Sequence, residues 1–139
     1  MPGERDLNAL LATMQPLLAE ERFVFVTGVD DSLARGAVRP VMTFREREGS
    51  TWIVTEAEAG ALGLTGSYPC RMITLNVHSS LEAIGFLAAI TTALASHGIS
   101  MNAVSAFYHD HLFVLVDKAA EALSILHALS AQARRSLTA

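Results

Sequence analysis

The chain has 139 residues, of which 51% are hydrophobic and 17% charged, and a formal net charge of −4. That length fits one ordinary domain or two small ones sharing a core, and the composition excludes an intrinsically disordered chain or a helical membrane span. Cations are few, with one lysine (Lys118) and a single basic pair, Arg134–Arg135, so nucleic acid, which demands several cations on one face, is excluded as a partner.

The first residues carry Glu4, Arg5 and Asp6 ahead of any apolar run, which is the wrong composition for a signal peptide. Leu7, Leu10, Leu11 and Met14 recur at helical spacing behind Asp6, an expected N-cap, and Pro16 ends that helix. Phe23 to Val29 is β-branched and aromatic and reads as a strand. Residues 30–39 read as a polar connection with room for one helical turn. Val41 to Arg45 and Thr51 to Thr55 form a hairpin around Gly49. Glu56 to Leu62 is a short helix stopped by Gly63, and Leu64 to Pro69 has linker composition. Cys70 is the only cysteine, so no internal disulfide forms and a cytoplasmic location is expected.

In the second half, Arg71 to Val77 reads as a strand. Ser79 or Ser80 is expected to cap a helix over residues 82–97, with Glu82 near its positive end. His97 and Gly98 stop it. Met101 to Tyr108 and Leu112 to Val116 are strands, with His109-Asp110-His111 as the turn between them. Residues 118–133 form a last helix with Ala122, Leu126, Leu129 and Ala133 inward. The order β-α-β-β-α, with a right-handed crossover, makes a ferredoxin-like α+β sandwich. The first half repeats that order with weaker helices. The expected organisation is therefore an N-terminal unit over 1–68, a C-terminal unit over 69–134 and a tail over 135–139, packed as one body.

Asn76-Val-His-Ser-Ser-Leu-Glu-Ala-Ile-Gly85 joins a strand end, a serine-rich turn and a helix start, where backbone N–H groups attract a carboxylate. Plain N-capping explains the same residues. With Leu94-Ala-Ser-His-Gly-Ile-Ser-Met-Asn102 following, the segment resembles an ACT domain. Residues 71–117, including Tyr108-His-Asp-His-Leu-Phe113, and the hairpin Thr43-Phe-Arg-Glu46 resemble small stand-alone bacterial proteins built of two ACT-like units. The resemblance implies an ACT fold, no catalysis of its own, no cofactor, and an amino-acid ligand held at an interface between units. It places His78, Ser79, Ser80, Leu81 and Gly85 near that ligand, with Asn102 close by, and implies a homodimer or higher homo-oligomer. The Asp/Asn-Pro-Gly type of turn found in many effector-binding ACT domains is replaced here by Ser79-Ser80-Leu81-Glu82-Ala83.

Two other readings compete. The fold alone can serve as a ligand-free dimerisation module, since an ACT-like sheet has apolar edges. His78, His109 and His111 offer three nitrogens to a transition metal, but a hairpin turn recruits the same residues for geometry, and no metal is expected. No nucleophile elbow, phosphate loop or metalloprotease motif is present. Cys70 reads as a small buried hydrophobe, Arg45-Glu-Arg-Glu48 as a solvated hairpin end, and Trp52 as core.

Overall fold

A computed structural model describes residues 3–33 and 38–138. Two compact units emerge, Glu20–Arg71 and a second formed by Met1–Ala19 together with Met72–Ala139. The N-terminal segment therefore packs with the C-terminal half, where the sequence pattern groups it with its chain neighbours.

The unit built on Glu20–Arg71 contains strands β2 (Phe23–Val29), β3 (Met42–Glu46), β4 (Gly49–Thr55) and the first residues of β5 (Ser67–Leu75), with helix α2 (Glu56–Ala61). Its strand order is β3-β4-β2-β5, with β2 antiparallel to both neighbours. This is the ferredoxin-like order, in which the fourth strand pairs with the first. A 3-10 turn, Asp31–Leu33, follows β2, and residues 34–37 of the expected polar connection lie outside the described set. Thr55 caps α2 through a full capping box with Glu58. Val24, Val26, Val29, Trp52, Val54 and Ala59 make the core. Pairing reaches Phe23↔Cys70 and Phe25↔Ser67, so the expected linker over 64–69 is strand from Ser67 onward.

The other unit repeats the arrangement with a borrowed piece. Its chain order is β5, α3 (Phe86–Ala95), β6 (Asn102–Ser105), β7 (Asp110–Leu115) and α4 (Ala119–Thr138). The fourth-strand position, antiparallel to β5, is taken by β1 (Pro16–Leu18), which comes from the N-terminus. Three residues are too few to announce a strand by pattern. A left-handed Gln15 (φ 42) turns the chain from α1 (Leu7–Thr13) into β1. Asp6 caps α1 by accepting the Ala9 N–H at 2.9 Å, as its position predicts. Leu10 from α1 and Met14 at its C-cap, Ile90 and Leu94 from α3, and Ala122 and Leu126 from α4 bury against Ile73, Leu75, Leu112 and Val114 of the sheet.

Helix α4 runs to Thr138, so residues 135–138 are helix rather than tail. Nothing between Ala133 and Thr138 breaks a helix, and Arg134 is anchored by donating to the Ala12 carbonyl (3.1 Å) and the Ser130 hydroxyl (2.9 Å). Among the described residues no helix is long and apolar enough to cross a membrane.

Candidate functional site

Between Leu75 and Phe86 the chain is folded into tight turns, with Val77 N–H on Leu75 O and Ser79 N–H on Val77 O. The N-terminal arm lies against this loop. Glu4 donates its N–H to His78 O (2.8 Å), and its carbonyl accepts the Ser80 N–H (2.9 Å), making a parallel bridge opposite Ser79. Gly3 approaches so closely that a Cβ there would overlap the backbone of residues 78–80.

Here the structure corrects the expected capping. Helix α3 starts at Phe86, behind a left-handed Gly85 (φ +89), and has no side-chain cap. Ser80 instead closes its own turn, its hydroxyl accepting Glu82 N–H at 3.1 Å and its carbonyl accepting Ala83 N–H at 3.0 Å. Ser79 is likewise committed, donating to the Asp110 carboxylate at 3.1 Å. With the Ser80 hydroxyl occupied in its own turn, that of Ser79 on Asp110, and Gly85 outside the helical region, residues 82–85 do not enter the helix.

The hairpin also differs from expectation. Strand β6 stops at Ser105, the turn is made by residues 106–109 with Ala106 N–H on His109 O, and Ser105 pairs with Asp110. Asp110 and His111 are thus strand residues. Asp110 alternates with Leu112 and Val114 and shares their core-facing side, where it is only 7% exposed. His111 faces the other way, its Nδ1 2.9 Å from Thr74 Oγ1. Burial, reinforced by the charge of His109, holds His111 below the usual imidazole range.

These elements enclose a cavity of about 190 Å³. Ser79, Ser80, Leu81 and Gly85 line one side, and the first turn of α3 (Phe86, Leu87, Ala88) continues it. Ser105, Ala106 and Asp110 close it from the sheet. The cavity thus gathers four of the six residues expected from the sequence. His78 is not among its walls and stacks instead with Tyr108 and Phe107, at 5.1 and 6.1 Å between ring centroids. Asn102 is also absent from the lining; it opens β6 opposite Phe113 and is exposed. Asp110 was hidden by its neighbours, because an apparent His-Asp-His turn masks the alternation that continues into Leu112 and Val114.

The cavity has two electrostatic poles. One is the start of α3, where the first backbone N–H groups of a helix lack intrahelical acceptors and no acidic side chain occupies the first turn. The other is the buried Asp110 carboxylate. A carboxylate fits the first pole and an ammonium the second.

Elsewhere the chemistry is quiet. Among the described residues no group of three His, Cys, Asp or Glu side chains could hold a metal ion, and the His109 and His111 rings lie 6.2 Å apart. Cys70 is fully buried with its Sγ directed at the Phe23 carbonyl; burial, with Glu56 nearby, pushes the thiol up to about 12. Trp52 is core, as expected, and the Arg45–Glu48 hairpin end is solvated.

Profiles of the ACT domain match residues 2–71 and again residues 67–128. A Vibrio cholerae protein of unknown function, described as a possible transport protein, is 45% identical. The match covers 86% of this chain and 92% of that one, with a TM-score of 0.76. The chain belongs to the ACT domain family and carries two ACT units of ferredoxin-like α+β fold. The regulatory subunit of aspartate kinase from Thermus flavus shares that fold at 13% identity, covering 85% of this chain and 98% of its own, with a TM-score of 0.65. An Agrobacterium tumefaciens protein does so at 15% identity, covering 78% and 81%, with a TM-score of 0.61. A comparison with curated protein sequences gives no match. ACT domains are regulatory, ligand-binding modules.

Proposed function

We propose that this chain is a non-catalytic regulatory protein that binds a free amino acid in the cavity between the 79–88 segment and Asp110. The observation that carries the reading is the pairing of an uncapped helix start with a buried carboxylate across one small cavity. The α-carboxylate sits at the N–H groups of the first turn of α3. The ammonium sits at Asp110, where Ser79 already fixes the carboxylate by hydrogen bond. Ser80, Leu81 and Gly85 shape the rim, and His78 and Asn102 act outside the cavity, at a surface a second copy of the chain would cover. A cytoplasmic, homo-oligomeric protein without a cofactor is consistent with this reading.

The test is a thermal-shift panel of the common amino acids, followed by calorimetric titration of any stabiliser. A ligand at a hundredfold excess over its Kd adds about 2.7 kcal/mol of stability. Asp110→Asn keeps the shape and removes the charge, so affinity falls roughly tenfold to a hundredfold, about 1.4 to 2.8 kcal/mol. Unchanged affinity in that variant, or a folded protein that no amino acid stabilises, overturns the reading.

A second reading has its own support. Leu81, Ile84, Phe107 and Tyr108 are 57–84% exposed in the two loops of this unit, an apolar display suited to self-association. A dimer by sedimentation whose strength no amino acid alters would make the chain a dimerisation module.

A further inference from the structure

We infer that the N-terminal arm, with the first residue of α1, is a latch on the amino-acid cavity: it sets the spacing of the two poles, and its docking is coupled to occupancy. The inference rests on the amino-acid reading given above and adds the regulation of that site.

The arm meets the cavity loop at two places. The two backbone hydrogen bonds of Glu4, to His78 O and from Ser80 N–H, clamp the chain immediately before and after Ser79. Ser79 is buried, and its hydroxyl holds the Asp110 carboxylate at 3.1 Å. Through Ser79 the clamp therefore positions the pole that takes the ammonium. At the second place, Leu7 Cδ2 lies 3.6 Å from where a Cβ on Gly85 would stand. Gly85 is the left-handed residue from which α3 starts, beside the pole that takes the carboxylate. One short segment, more than seventy positions away in the chain, thus abuts the loop at each pole.

The latch is held lightly. Glu4, Arg5 and Asp6 are exposed, and two backbone hydrogen bonds beside water give only a modest net stabilisation. Such a segment opens locally without unfolding the domain. When it lifts, the His78 carbonyl and the Ser80 N–H turn to water, and Ser79 loses its support on both sides. An amino acid spanning Asp110 and the start of α3 holds the loop in the arrangement the arm fits. Coupling of this kind is reciprocal: the factor by which a docked arm strengthens binding is the factor by which the amino acid favours docking. Occupancy of a cavity inside a non-catalytic protein is thereby displayed at its surface, in the docking of the arm.

The experiment titrates the common L-amino acids calorimetrically into the wild-type chain, a variant lacking residues 1–5, and Glu4→Pro, which removes the N–H donated to His78. The deletion keeps Asp6, and with it the α1 cap. Affinity is expected to fall at least fivefold in both variants, and Arg5→Ala, which leaves the bridge intact, should bind as wild type does. In the wild-type chain, a saturating amino acid should slow exchange of the Glu4 and Ser80 amides by the factor the deletion costs in affinity. An arm that serves stability alone would leave those two rates independent of the amino acid, and that result overturns the inference. So does wild-type affinity in a folded deletion variant. Should the deletion fail to fold, Glu4→Pro and the wild-type exchange rates decide. A panel without a binder overturns the amino-acid reading and this inference with it, whereas a binder indifferent to the arm overturns this inference alone.

Discussion

Gly3→Ala tests whether the N-terminal arm is integral to the cavity loop. A Cβ at this position would lie 2.5 Å from the His78 carbonyl oxygen, 2.6 Å from Ser79 C and 2.7 Å from Ser80 N. All three are backbone atoms, so no rotamer change relieves the overlap, and the arm must lift. Lifting it breaks the two hydrogen bonds through Glu4, each worth about 0.5–1.5 kcal/mol net, for a total of about 1–3 kcal/mol. At about 3 °C per kcal/mol for a chain of this size, Tm falls by roughly 3–9 °C in scanning calorimetry. Exchange of the Ser80 amide, which the Glu4 carbonyl protects, accelerates in parallel. Gly60→Ala is the control, since that glycine lies inside α2 with nothing near its would-be Cβ; it should stabilise by about 0.5–1 kcal/mol. A Gly3→Ala protein with wild-type Tm and unchanged Ser80 protection would refute the reasoning.

Cys70 should resist thiol reagents at pH 8 in the folded chain and react fully once denaturant unfolds it, because its thiol is pushed up to about 12; labelling in the absence of denaturant would show the strand pairing at Phe23 to be open. Burial disfavours the charge on Glu58, but hydrogen bonds from the Arg39 N–H and from Thr55 outweigh it and hold the carboxyl below its ordinary value of 4.5. Its stabilising effect is therefore full above that value and is lost as pH falls through the lower, folded pKa. The stability gap between wild type and Glu58→Gln, read by urea titration, should close on acidification and stay constant from pH 6 to 8. Leu126→Ala, at a fully buried position where α4 meets the sheet, should cost about 2–5 kcal/mol in the same titration.

Much of the fold was legible because the apolar periods are strong. Leu10, Leu11 and Met14 behind Asp6, the β-branched and aromatic run from Phe23 to Val29, and the Ala122–Leu126–Ala133 face all specify their elements locally. The ferredoxin-like order followed from them, while the family rested on the resemblance of residues 71–117 and of the Thr43–Glu46 hairpin to ACT-like units. What escaped depended on tertiary partners. Pro16–Leu18 is a strand only because β5 is there to pair with it. Ser79 looks like a cap until Asp110 is seen to hold its hydroxyl. Asp110 itself, the charged wall of the cavity, reads as turn chemistry beside two histidines. Four cavity residues were found from the loop pattern, but the carboxylate facing them lies 25 or more positions away along the chain, where no local period connects the two.

The placement of β1 also constrains how the chain is made. Residues up to Ala19 are made before the sheet and helices they join, which are not complete until α4 has been synthesised. In the interval Glu20–Arg71 can form its own sheet, while Leu10, Leu11 and Met14 remain without a core to enter. Closure of that long loop is a late, slow step, because contacts far apart in sequence must be found after their entropy has already been lost. Until α4 is made, the apolar side chains of residues 10–14 therefore stay unburied, and an isolated segment that short does not hold a helix by itself.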